Sequence, residues 1–164
     1  MTSEAIADAK PEAAAGVRAL VAEGIIKNYV AGSIGASAIP LPVVDIAAIG
    51  ALQLRMIQKL SKLYGQAFSQ KLVRSSIVSL AGGFVGYGLG ATSSSLLKAV
   101  PGIGWLMGFA TLPLMAGATT YALGKVFVKH FEDGGSLFDL EPDSLKALYV
   151  KELKRGKKIS EALA

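Results

Sequence analysis

At 164 residues, with 52% apolar and 18% charged side chains, the chain is long enough for one domain and short of the roughly one-quarter charge usual in soluble proteins. That composition excludes disorder over most of its length, and the lack of cysteine excludes a disulfide-stapled module, a thiolate metal site and a cysteine nucleophile. Seventeen Lys and Arg against twelve Asp and Glu give a formal charge of +5 at pH 7, which favours acidic partners such as anionic headgroups.

The opening residues are acidic and polar and do not follow the basic-then-apolar order of a secretory signal. A first helix is predicted from Pro11 to Tyr29, with Pro11 in its first turn and Glu12 complementing the helix dipole. Val17, Leu20, Val21, Gly24 and Ile25 recur at three- and four-residue spacing and give it a modest apolar face. Two uses are open for this face: packing inside a bundle or lying on a membrane. Pro40 and Pro42 then break the chain at Ile39–Pro42.

Asp45 suits an N-cap or a first-turn acid for the next helix, expected from Asp45 to Phe68. Ile46, Ile49, Gln53, Met56, Ile57, Leu60, Leu63, Tyr64 and Ala67 trace one face, and Arg55, Gln58, Lys59 and Lys62 share the other. A membrane span over Val30–Leu54 is disfavoured, because it would place Asp45 in hydrocarbon at a cost of about 2.5–3.5 kcal/mol.

The central region carries almost no charge. Eight Lys and Arg lie between Lys10 and Arg74, eight between Lys125 and Lys158, and Lys98 alone between the groups. Ser75–Leu97 and Ala99–Gly124 are uncharged over 23 and 26 residues, and about 20 suffice to span a bilayer as helix. Separated by Lys98 and Pro101-Gly102, they read as a helical hairpin. Pro113 is expected to kink the second limb. Trp105 and Tyr121 sit near its two ends, where aromatic anchors are favoured. Lys71 and Arg74 before the hairpin and Lys125 and Lys129 after it outnumber Lys98, which orients both termini to the cytoplasm. Gly82, Gly86 and Gly90 repeat every four residues along the first limb, and Gly104 and Gly108 do so in the second. Such ridges let backbones approach closely, within the hairpin or between subunits.

Asp133-Gly134-Gly135 signals a turn. Beyond it, Glu141, Pro142 and Asp143 open a short helix with an apolar face of Leu145, Leu148, Tyr149 and Leu153. Lys151, Lys154 and Arg155 are expected at its end, in dipole order. With Lys157 and Lys158 they form a basic tail suited to lipid headgroups.

No catalytic, cofactor or metal signature emerges. Gly86–Ala91 formally fits a dinucleotide fingerprint but has no acid about 20 residues on. Gly117–Val126 has the wrong spacing for a phosphate loop and Val126 where magnesium needs Ser or Thr. His130, the single imidazole, reads as a surface or interfacial residue. The acids Glu132, Asp133, Asp139, Glu141 and Asp143 lack calcium-loop spacing. The basic tail has no aromatic interleaving, so nucleic acid is not an expected partner.

Ile39-Pro40-Leu41-Pro42, Asp45, Leu52-Gln53, Met56, Leu60 and Tyr64-Gly65, followed by Tyr121-Ala122-Leu123-Gly124-Lys125 and Phe131, resemble the bacterial family called domain of unknown function 697. The resemblance runs from about Val30 to Phe131. It implies membrane association, occurrence alone or attached to Era-like small GTPase domains, and likeness to YcjF-type inner-membrane proteins. It carries no catalytic residues. Pro40, Pro42, Asp45, Gln53, Tyr64 and Gly65 enter as structural or contact candidates, and a GTPase switch would have to come from a partner.

The expectation is therefore an all-α bacterial membrane protein, with a central glycine-rich hairpin over residues 75–124 flanked by amphipathic helices. Its divisions are an N-terminal helix (1–30), a core (31–131) and a C-terminal turn, helix and basic tail (132–164). It is expected to be non-enzymatic, without cofactor, in the inner membrane, and to act by self-association and by docking a partner such as a small GTPase. The alternative is a soluble or peripheral homo-oligomer that buries the same apolar helices between subunits and binds lipid. A pore is disfavoured, because no charged or strongly polar line runs through the hairpin.

Overall fold

A computed structural model describes residues 11–37, 42–82 and 103–164, with side-chain surroundings for 11–37, 47–81 and 112–164. Its described elements are all helical: α1 (Pro11–Ala36), α2 (Pro42–Leu63), α3 (Gln70–Ile77), which runs on into a π-helical turn (Val78–Gly82), α4 (Ile103–Glu132) and α5 (Pro142–Leu163). Residues 38–41 and 83–102, which include Pro40, Gly86, Gly90 and most of the first uncharged limb, lie outside the described residues.

Local chemistry sets most helix ends. Pro42 and Pro142 occupy first helical positions, where the missing N–H is no loss. The second helix thus begins three residues before Asp45. It also stops at Leu63 instead of Phe68. Gly65 adopts φ +66°, its N–H donates to the Lys62 carbonyl and that of Gln66 to the Ser61 carbonyl, which is a Schellman stop. Gly134 ends α4 in the same way at φ +85°, with Gly134 N–H bonded to the Phe131 carbonyl and Gly135 N–H to that of His130. Ser69 caps α3 by accepting from the Leu72 N–H.

The core lies where the C-terminal half of α4 is enclosed by α1, α2 and α5. Ile26 and Val30 from α1, Met56, Ile57 and Leu60 from α2, Leu123, Val126 and Phe127 from α4, and Tyr149 and Leu153 from α5 are all buried. Helices approach closely where glycine leaves room. A Cβ on Gly124 would sit 2.7 Å from the Ile26 side chain, and one on Gly156 would sit 2.7 Å from the Ala118 carbonyl oxygen.

Several sequence expectations change. The buried stripe of α1 is Ala14, Ala22, Ile26, Val30 and Ser33. Leu20 is 76% exposed and Gly24 faces open space. Apolar and charged residues are mixed around the axis of this helix with almost no amphipathic bias, so its neighbours choose which stripe to bury. On α2, Gln53, Met56, Ile57 and Leu60 are buried as expected, but Ala67 lies beyond the helix and is exposed. Tyr121 is 5% exposed in the protein core, not at a membrane interface, because α1 and α5 close over that part of α4. The C-terminal helix is long, not short. It continues to Leu163, so Lys151, Lys154 and Arg155 lie in its interior instead of complementing the last turn. Pro113 lies inside α4, which runs on past it on both sides. Among the described residues, no helix is long and apolar enough to cross a membrane.

Candidate functional site

Three polar constellations and two charged faces stand out from this bundle. The first constellation ties α1, α2 and α4 together inside the core. Ser33 Oγ lies 2.9 Å from Thr120 Oγ1, and Gln53 Nε2 donates to Thr120 Oγ1 at 3.2 Å and to Thr119 Oγ1 at 3.4 Å. Ser33, Gln53 and Thr120 are all buried, where each hydrogen bond avoids the cost of an unpaired polar group. Gln53, a family-resemblance candidate, is thus a core cross-link between helices.

Tyr64, another such candidate, is placed at the end of α2 against the end of α4. Its hydroxyl donates to Glu132 Oε1 at 2.9 Å, its ring lies 5.9 Å from that of Phe131, and the Arg18 guanidinium sits 5.6 Å over it. Burial and the Glu132 carboxylate push the phenol well above its ordinary pKa, so it stays a hydrogen-bond donor. Three separated segments therefore meet at Tyr64, and Gly65 supplies the turn that frees the chain beyond it.

The third constellation lies where α1, α4 and α5 converge. Lys125 Nζ pairs with Glu23 Oε2 at 3.1 Å. Burial disfavours the ammonium, but the hydrogen bond and charge of Glu23 outweigh it and hold the Lys125 pKa above its ordinary value. On α5, the buried Glu152 accepts from Arg155 Nη1 at 3.3 Å. His130 sits in the last turn of α4, part-buried against the α4–α5 turn, with Nε2 2.8 Å from the Ser136 carbonyl and 3.3 Å from Asp139 Oδ1. It braces that turn, and the hydroxyl of the neighbouring Ser136 is held by Asp139 Oδ1 at 2.9 Å. Among the described residues no group of His, Asp and Glu has the arrangement of a metal site.

The charged faces are on α2–α3 and α5. Lys151, Lys154, Arg155, Lys157 and Lys158 are all exposed on α5, with Arg155 engaged by Glu152. Arg55, Lys59 and Lys62 on α2 and Lys71 and Arg74 on α3 are also exposed. No acidic residue lies between Asp45 and Glu132 in the sequence, against eight Lys or Arg, so α2 beyond Asp45 and α3 carry no acid of their own. Between these two helices lies an open groove of about 500 Å³, lined by Ala47, Gly50, Ala51, Leu54 and Arg55 of α2, by Gln70, Arg74 and Ile77 of α3, and by Val78 just beyond it.

The glycine candidates fare differently. Gly82 ends the π-helical turn, Gly104 falls in the first turn of α4 and Gly108 a turn later; Gly86 and Gly90 lie outside the described residues. Asp45 is inside α2, near its start. The close-packing glycines that are seen, Gly117, Gly124 and Gly156, were missed by sequence reasoning. Gly117, Gly124 and the Gly156–Ser160 pair were visible as small residues at helical spacing, but the first two fell in a stretch read as lipid-facing.

A family model described as "Domain of unknown function (DUF697)" matches residues 3–158. The chain belongs to the DUF697 family. It is also 55% identical, over 144 residues, to Magnetosome membrane protein 22 of Magnetospirillum gryphiswaldense, a match covering 87% of this chain and 74% of the relative. No solved structure matches it.

Proposed function

We propose that this DUF697 protein is a non-enzymatic helical bundle that works on a bacterial membrane, as an assembly and docking element. The observation that carries the reading is its similarity, over most of both chains, to a protein named for a membrane. The exposed cations of α2–α3 and α5 support it, since such clusters attract anionic leaflets at about 1 kcal/mol per Lys or Arg near the surface. The uncharged stretch Ser75–Leu97 supplies the apolar part of the attachment, with both termini on the cytoplasmic side of the inner membrane.

Self-association through Gly82, Gly86, Gly90, Gly104 and Gly108, and docking of a small GTPase, belong to the same proposal. The first rests on the four-residue glycine spacing and the second on the family resemblance. A Gly86→Leu variant should then lose cross-linked oligomers, and a detergent-solubilised pull-down should recover the GTPase.

Fractionation of cells making the full chain tests the central claim. The protein should sediment with membranes, resist a high-salt wash and enter solution with detergent. Recovery as a dissolved single subunit without any amphiphile would overturn it.

A further inference from the structure

We infer that the groove between α2 and α3 is a binding site for an anionic phospholipid, taking an acyl chain on its floor and the phosphate between Arg55 and Arg74. This deepens the membrane reading above and rests on it. The volume of about 500 Å³ falls inside the ~300–1,000 Å³ range of clefts that hold small molecules. The lining is mostly apolar, with Gln70 and two arginines as its polar members. Small or aliphatic residues (Gly50, Ala51, Leu54, Ile77 and Val78) form an apolar trough, and the two arginines come from different helices.

Val78 is 68% exposed, which leaves aliphatic surface open beside two cations. Among the described residues, neither arginine has a salt-bridge partner. Arginine matches phosphate geometry with paired N–H donors, and the acid-free run from Ile46 to Phe131 leaves α3, and α2 beyond Asp45, with no acid of their own to compensate that charge. An apolar trough with an arginine from each helix in its lining suits a ligand that is apolar along its length and anionic at one end. A free phosphate satisfies half of that description and a zwitterionic lipid weakens the other half.

The test uses the full-length protein and dioctanoyl phosphatidylglycerol held below its micelle concentration, with binding read by titration calorimetry. Dioctanoyl phosphatidylcholine and inorganic phosphate are the comparison ligands. Saturable binding of the phosphatidylglycerol is expected, with weaker binding of phosphatidylcholine and none of phosphate. Arg55→Gln with Arg74→Gln should weaken it by about tenfold or more, from two lost phosphate contacts. Ala51→Trp, which fills the trough at an exposed position without touching charge, should weaken it comparably. Lys157→Gln with Lys158→Gln on α5 should leave it unchanged.

Four results would overturn the inference: no saturable binding, groove variants that bind like the wild type, equal loss in the α5 variant, or phosphate binding that Ala51→Trp does not affect. Failure here is distinct from failure of the membrane reading. A chain that still sediments with membranes while the groove variants bind lipid like the wild type retains its membrane role and loses this site.

Discussion

The contact between α4 and α5 makes a sharp prediction at Gly156. Replacing glycine by alanine inside a helix ordinarily stabilises it by up to about 1 kcal/mol, because the unfolded chain loses freedom. At Gly156 the new methyl would lie 2.7 Å from the Ala118 carbonyl oxygen and 2.9 Å from Ala118 Cα. Those are backbone atoms, so relief requires moving one helix against the other, and overpacking of this kind costs about 1–3 kcal/mol. With the obstruction on backbone, the upper part of that range applies, and Gly156→Ala should be destabilised by about 1–2 kcal/mol net. Gly24, where a Cβ would meet nothing within 4 Å, provides the control, and Gly24→Ala should gain stability. Urea unfolding by far-UV circular dichroism, in the amphiphile that keeps the wild type monodisperse, separates the two. In thermal scans the Gly156 change should lower Tm by roughly 3–6 °C. Equal stability of Gly156→Ala and Gly24→Ala would refute the proposed helix separation.

The buried Ser33–Gln53–Thr120 network predicts that Thr120→Val costs about 1–3 kcal/mol by stranding its partners. A double-mutant cycle with Ser33→Ala should show a coupling term, absent if the two hydroxyls do not meet. At the alkaline end, Lys125 has a raised folded-state pKa. Its stabilisation is complete below its ordinary value of 10.5 and is lost as pH rises through the folded value. Glu23→Gln should flatten that alkaline decline in unfolding free energy, and an unchanged decline would exclude the pair. At the acid end, the Ser136 backbone N–H and hydroxyl, with His130, hold the Asp139 carboxyl below its ordinary 3.8. Its contribution is present above that value and disappears as pH falls through the folded one. Asp139→Asn should therefore show a shallower acid limb, measured by unfolding between mildly and strongly acidic buffers.

Much of the helical framework was legible in the sequence because helix ends are decided by neighbouring residues. Pro142 marks the start of α5, and Asp133-Gly134-Gly135 marks the end of α4 through a left-handed glycine and two local hydrogen bonds. Gly65 carried the same signal for α2, and its position explains why that helix stops short of Phe68. The family was legible too, from Pro42, Gln53, Tyr64-Gly65 and the segment around Tyr121–Lys125, and the match over residues 3–158 bears it out. The buried side of α1 was not legible. A helix whose apolar, small and charged residues are mixed around its axis has no pattern that prefers Ile26 and Val30 over Leu20.

The amino-acid order by itself determined that the described elements are helical, that Gly65 and Gly134 stop two of them, and that the charges gather on either side of an uncharged middle. Each of those properties depends on residues within a turn or two of one another. The tertiary structure alone decided what the uncharged residues from Ala116 to Gly124 touch. Charge-free sequence suits lipid and protein interior equally, and here Ile26 of α1 and the Gly156 notch of α5 close over that half of α4. Likewise, Arg55 and Arg74 are 19 positions apart in the chain. They line one groove because the turn after Gly65 brings α3 alongside α2.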